Sequence, residues 1–124
     1  MTKTRQPLIL VVEDDDACRD LMEEILTMNG YAVRVACNGL EALKTLELEQ
    51  PDLILLDVKM PVMNGWEFSR RMRAEQRPHV TTMIVSAAED IQARAQEIGA
   101  DNWLEKPFEL ENLLAKVELM LKRV

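Results

Sequence analysis

"PDLILLDVKMP", residues 51–61, places four consecutive aliphatic residues between two prolines and ends that run on a carboxylate, Asp57. An unbroken apolar run of this length suits a strand covered on both faces, since a strand with one face in water would alternate. A strand that merely closes into a loop more often ends in Gly, Asn or Ser than in an acid abutting the core. Asp57 therefore needs a chemical reason to be where it is.

Working outward, four more runs read as strands: "LILVV" (8–12), "YAVRVA" (31–36), "TTMIV" (81–85) and "NWLE" (102–105). Helical patterns lie between them. Leu21, Met22, Ile25 and Met28 define helix one, which Gly30 stops. Asn38 with Glu41 resembles a capping box opening helix two, with Leu40, Leu43 and Leu46 as apolar members. Helix three runs from about Asn64, carries Trp66, Phe68 and Met72, and stops before Pro78. Helix four spans about Asp90 to Ile98 and ends at Gly99. Helix five sets Leu110, Leu113, Leu114, Val117 and Leu121 on one stripe. Strands alternating with helices imply parallel βαβ units, hence an α/β domain of five strands and five helices. Right-handed crossovers put helices on both faces of an open, doubly wound sheet, and such sheets bind ligands beyond the carboxyl ends of their strands.

Composition narrows the function classes. The 124 residues suit one domain, expected to span 1–124 without repeats. The apolar start is too short for a signal peptide or membrane span, so a cytoplasmic protein without a membrane partner is expected. A net charge of -7 and a pI near 4.8 repel phosphate backbones, and no basic cluster compensates, which disfavours direct nucleic-acid binding. Cys18 and Cys37 lack metal-ligand spacing and read as small, semi-buried residues. His79 stands alone, and Trp66 and the eight methionines suit core filling or a partner surface.

The informative polar residues all fall at one edge. Strand one ends in Glu13-Asp14-Asp15-Asp16, strand three in Asp57, strand four in Ser86, and strand five in Glu105-Lys106-Pro107. The acidic run could serve only the positive end of helix one. Alternatively, carboxylates converging from neighbouring strands would repel unless a cation sits between them. Hard oxygen ligands with open positions suit Mg²⁺, or Mn²⁺ in its place. Lys106 would face the same site, aimed by the rigid turn at Pro107, with a cis bond there allowed by proline. Ser86 would supply a hydroxyl donor.

The set "VVEDD", "PDLILLDVKMPVMNGWE", "IVSA" and "EKPF", in that order and spacing, resembles the receiver domain of two-component response regulators along essentially the whole chain. The resemblance implies a flavodoxin-like (βα)5 fold with a parallel sheet in the order 2-1-3-4-5. It implies Asp57 as the phosphoacceptor, fed by a sensor histidine kinase or a histidine phosphotransfer protein. Glu13, Asp14, Asp57 and the backbone carbonyl of Lys59 would bind the metal, while Lys106 and Ser86 would contact the phosphoryl group. Met60, Pro61 and Gly65 match the family's loop after the phosphoacceptor, where glycine permits positive φ. Output would pass through protein contacts on the helix 4–strand 5–helix 5 face, including Ile91 and Trp103. The chain would act as a monomer or a phosphorylation-dependent dimer, without an output domain.

Three positions depart from the commonest pattern of the family. Glu13 replaces an Asp, Ser86 stands where Thr is also common, and Trp103 replaces the Tyr or Phe that moves inward with Ser86. An indole is larger and its N–H only donates, so either it switches or it packs on the surface of helices four and five. Lys59, two residues past Asp57, is expected either to alter the acyl phosphate's lifetime or to remain solvated. Two other functions compete with a phosphorylation switch. A haloacid-dehalogenase-type phosphotransferase would carry Asp where Lys59 stands. A receiver-like interaction module that is never phosphorylated would not need the set Glu13, Asp14, Asp57, Ser86 and Lys106.

Overall fold

The computed structural model describes residues 6–59, 63–74 and 80–122. Five strands, β1 (Leu8–Val12), β2 (Ala32–Ala36), β3 (Leu53–Leu56), β4 (Thr82–Ser86) and β5 (Asn102–Glu105), alternate with five helices. These are α1 (Asp16–Met28), α2 (Gly39–Leu48), α3 (Gly65–Ala74), α4 (Ile91–Ile98) and α5 (Leu110–Leu121). All strand pairs are parallel and the order is β2-β1-β3-β4-β5, the flavodoxin-like arrangement expected. The order reverses between β1 and β3, so these two strands flank the point where a crevice opens at the carboxyl edge.

Strand alternation divides the core. Ile9, Val11, Leu53, Leu55, Met83 and Val85 face α1 and α5, meeting Met22, Leu26, Leu113, Val117 and Met120. Leu10, Val12, Ile54, Leu56 and Ile84 face α2, α3 and α4, meeting Leu43, Leu46, Phe68, Met72, Ala95 and Ile98. Leu53 to Leu56 are all fully buried, which contributes on the order of 6–12 kcal/mol for the four side chains. That burial anchors Asp57 immediately beyond them.

Helix boundaries follow caps. Asp15 Oδ2 accepts from Cys18 N at 2.8 Å, Asn38 Oδ1 from Glu41 N at 2.9 Å, and Asn64 Oδ1 from Glu67 N at 2.9 Å. The return arm of the expected capping box goes one residue further back than anticipated: Glu41 Oε1 accepts from Cys37 N, not from the cap. Gly30, at φ +92, ends α1 as expected.

Several expectations need correction. Periodicity places Leu21, Met28 and Leu40 on apolar faces, yet they are 44%, 73% and 42% exposed; Met22 and Leu26 of α1, and Ala42, Leu43 and Leu46 of α2, are the buried residues instead. In α5 the fully buried positions are Leu113, Val117 and Met120; Leu110, Leu114 and Leu121 are half-buried. Gly65 does not adopt positive φ. It is required for close approach instead, since a Cβ there would lie 2.8 Å from Val58 Cα. Met60 and Pro61, His79, and the end of helix three before Pro78 lie outside the described residues.

Candidate functional site

Three backbone bonds extend the parallel ladders past the strand ends and set the side chains in register. Glu13 N–H donates to the Ala36 carbonyl, Asp57 N–H to Val12, and Lys106 N–H to Ser86, each at 3.0 Å. The side chains at these ladder ends then meet. Lys106 Nζ donates to Glu13 Oε1 at 2.5 Å and to Asp57 Oδ2 at 3.1 Å. Ser86 Oγ and Lys59 N donate to the other oxygen, Asp57 Oδ1, at 2.9 and 3.0 Å. Glu13 Oε2 accepts from Asp15 N at 3.1 Å. Glu13, Asp57 and Ser86 are buried.

The acidic run divides its labour. Glu13, Asp14 and Asp57 each offer a carboxylate oxygen within 4.8 Å of the others, Asp14 from an exposed position. Asp15 caps α1, and Asp16 pairs with Arg19, whose guanidinium also donates to the Glu13 carbonyl. The helix-terminus reading therefore holds for Asp15 and Asp16, while Glu13 and Asp14 face the crevice.

Three carboxylates against one ammonium leave excess negative charge. Burial pushes the Glu13 carboxyl above its ordinary value, partly opposed by the hydrogen bond from Lys106. Burial also disfavours the charge on Lys106, but the hydrogen bond to Glu13 and the field of Asp57 outweigh it and hold the ammonium above the usual lysine value. A hard divalent cation fits this donor set: oxygen ligands only, clustered, and short of positive charge. Burial pushes the Cys18 thiol up to about 11, so it stays protonated near neutrality and is a poor nucleophile. A carboxylate such as that of Asp57, by contrast, needs no activating base to act as a nucleophile.

Beside Lys106 opens a cavity of about 450 Å³, walled chiefly by Cys18 and Leu21 of α1, Ala87, and Pro107 with Phe108. The Lys106–Pro107 bond is cis. Lys59 is exposed, with its backbone N–H engaged on Asp57. Trp103 is half-buried and packs on the α2–α3–α4 side of the core. Lys116 holds it there: its ammonium lies 5.5 Å from the ring centroid and donates to the Trp103 carbonyl. Sequence reasoning did not single out Lys116. Its helical spacing from the buried Leu113 and Met120, facing strand five, was the available signal. Ile91, expected on a partner surface, is buried. Cys18 and Cys37 are free and half-buried, as expected.

Among the described residues, no helix is long and apolar enough to cross a membrane. The chain matches the response regulator receiver domain over residues 9–118. It is 38% identical over 117 residues to the response regulator MprA of Mycobacterium ulcerans, covering 93% of this chain and 50% of that protein. The chain thus spans about half the length of the curated relatives it matches. A putative response regulator from Chloroflexus aurantiacus superposes with a TM-score of 0.86 at 34% identity, covering 96% of this chain and all of that one (100%). The CheY-like receiver domain protein of Methanospirillum hungatei gives 0.85 at 31% identity, covering 94% of each. TrrA of Thermotoga maritima, solved in complex with Mg²⁺-BeF, gives 0.83 at 31% identity, covering 94% and 100%.

Proposed function

The chain belongs to the response regulator receiver domain family, and on that premise we propose that it is a phosphorylation-controlled switch whose phosphoacceptor is Asp57. One observation carries the reading. Lys106 and Ser86 approach opposite oxygens of a buried aspartate, with two further carboxylates clustered beside it.

Phosphoryl transfer asks mainly for positioning and charge neutralisation. An oxygen of the Asp57 carboxylate attacks the phosphorus of a phosphohistidine on a sensor kinase or phosphotransfer protein. The O–P bond forms as the P–N bond breaks, with that bonding pair leaving on the imidazole nitrogen. A carboxylate has no proton to shed, so no general base is needed. Lys106 neutralises charge on the transferring oxygens, and Ser86 donates a hydrogen bond to them. Glu13, Asp14, Asp57 and the Lys59 carbonyl would hold Mg²⁺ or Mn²⁺, which supplies further charge neutralisation when bound. The apolar cavity lined in part by Lys106, which itself bonds Asp57, would offer the donor protein an apolar surface.

Signalling then passes through protein contacts rather than catalysis on a small molecule. Trp103, on the α4–β5–α5 face, is available for such contacts; Ile91, buried, is not. Mg²⁺ with beryllium fluoride, which mimics an aspartyl phosphate, tests the reading. The native protein should show a Mg²⁺-dependent spectroscopic change that is absent from Asp57→Ala. A change of equal size in the variant, or none in the native protein, contradicts it.

A further inference from the structure

The turn from β1 into α1, Glu13-Asp14-Asp15, is tied down on several sides. The Glu13 N–H donates to the Ala36 carbonyl of β2 at 3.0 Å, and the Glu13 carbonyl accepts from Arg19 Nη1 at 3.0 Å. The Asp15 N–H donates to Glu13 Oε2 at 3.1 Å, and Asp15 Oδ2 caps α1 through Cys18 N. Both peptide units that flank Asp14 are thus held, one by its carbonyl on Arg19 and the other by its N–H on the Glu13 side chain. Peptide units are planar, so fixing the two leaves the Asp14 Cα–Cβ bond one direction in which to leave the chain. Among the described residues no hydrogen bond holds the exposed Asp14 carboxylate itself. Its backbone decides where it points.

Arg19 is placed for this bond. Its own N–H donates to the Asp15 carbonyl at 2.9 Å in the first turn of α1, so the side chain reaches back over the turn from a rigid base. That side chain is only 17% exposed, and its second terminal nitrogen, Nη2, pairs with Asp16 Oδ1. Two donors of one planar guanidinium therefore meet two acceptors, which fixes the group's orientation. The pair with Asp16, a carboxylate 84% exposed, contributes little stability by itself. The bond to the main chain of Glu13, a residue 1% exposed, is the one that constrains the crevice. Charge pulls the other way, because a guanidinium close to clustered carboxylates repels any cation they would hold.

We propose that Arg19 is a positioning residue for the divalent-cation site: by holding the Glu13 carbonyl it fixes the Glu13–Asp14 peptide and aims the Asp14 carboxylate at the cluster it forms with Glu13 and Asp57. Asp16 braces the guanidinium from the solvent side. Arg19 touches neither the ion nor the phosphoryl group and acts through the main chain. This rests on Glu13, Asp14 and Asp57 as the metal-binding acids and adds the residue that orients one of them.

Titration calorimetry of the full chain with Mg²⁺, in the absence of any phosphodonor, tests the assignment. Arg19→Gln should weaken Mg²⁺ binding roughly ten-fold, the effect expected when a group that orients a ligand is lost. Arg19→Lys keeps the charge but cannot span Glu13 and Asp16 together, and should weaken binding about three-fold. Without metal, the Asp14 and Asp15 amides of both variants should gain mobility in nuclear magnetic resonance relaxation, while Val11 and Leu26 stay native. Mg²⁺ bound by Arg19→Gln as tightly as by the native protein, or more tightly as the loss of a bystander cation would give, overturns the proposal. If that variant does not fold, a native Kd in Arg19→Lys overturns it instead. Asp14→Asn separates this from the reading beneath it. If the native protein takes up no Mg²⁺, or Asp14→Asn binds it equally well, the metal site itself fails; if both controls behave and the Arg19 variants bind normally, only the role of Arg19 falls.

Discussion

Acids stand at both ends of this sheet, and the two ends use them differently. At the amino edge, Asp52 Oδ2 accepts from Leu8 N at 2.7 Å and Asp101 Oδ2 from Thr82 N at 2.9 Å. Each carboxylate there closes a neighbouring strand, and the backbone returns the bond: Asp52 N to the Leu8 carbonyl, Asp101 N to that of Thr82. At the carboxyl edge, Glu13 and Asp57 converge on each other and share one lysine. Residue type is the same at both edges. The amino-edge acids reach across to the backbone of a neighbouring strand and tie its end; at the carboxyl edge Glu13 and Asp57 take local backbone donors, Asp15 N and Lys59 N, and crowd together at the site proposed for phosphoryl transfer.

The sharpest way to break the contrast is Lys106→Met. It removes the charge proposed to neutralise the transferring phosphoryl group, and phosphorylation by acetyl phosphate should slow by about 10²–10³-fold. A rate within a few-fold of native would remove Lys106 from the mechanism. Next comes stability, measured by denaturant unfolding. Asp101→Ala strips a part-buried strand-end N–H of its acceptor and should cost about 1–3 kcal/mol. Asp57→Asn relieves like-charge crowding and should cost less than that, or stabilise, while abolishing phosphorylation. If Asp57→Asn is the more damaging change, the two edges do not differ as argued. Smaller still, Mg²⁺ at ten times its Kd should stabilise the native protein by about 1.4 kcal/mol. Asp57→Asn should lose most of that gain; full retention would place the ion elsewhere. The smallest effect expected is a few-fold change in aspartyl phosphate half-life in Lys59→Asn. Equal half-lives would leave Lys59 contributing its backbone alone.

The carboxyl edge was legible in the sequence because the strands announce themselves. Continuous apolar runs such as Leu53–Leu56 mark doubly covered strands, and in a parallel sheet the residues just past every strand share one rim. The amino edge was not legible, because Asp52 and Asp101 precede their strands among ordinary loop residues, and only the register reveals which N–H each meets. Register also hid the bond from the Ser69 hydroxyl of α3 to the Ile98 carbonyl of α4. Ser69 and Ile98 are 29 residues apart, and nothing local in either pairs them. Exposure of Leu21, Met28 and Leu40 escaped the periodicity for a related reason: spacing marks an apolar stripe but not how much of its width the sheet covers. Gly65 was placed correctly and explained wrongly, since conformational freedom and close packing call for the same residue. Trp103 remained open in sequence because its partner, Lys116, lies 13 residues away on α5.

The measurement that bears most directly on the account is the site of phosphorylation. The native protein, incubated with Mg²⁺ and acetyl phosphate, is trapped with borohydride and mapped by peptide mass spectrometry. The label should fall on Asp57 and vanish in Asp57→Asn. Label on Asp14, Asp52 or Asp101, or none on the native chain, would contradict it.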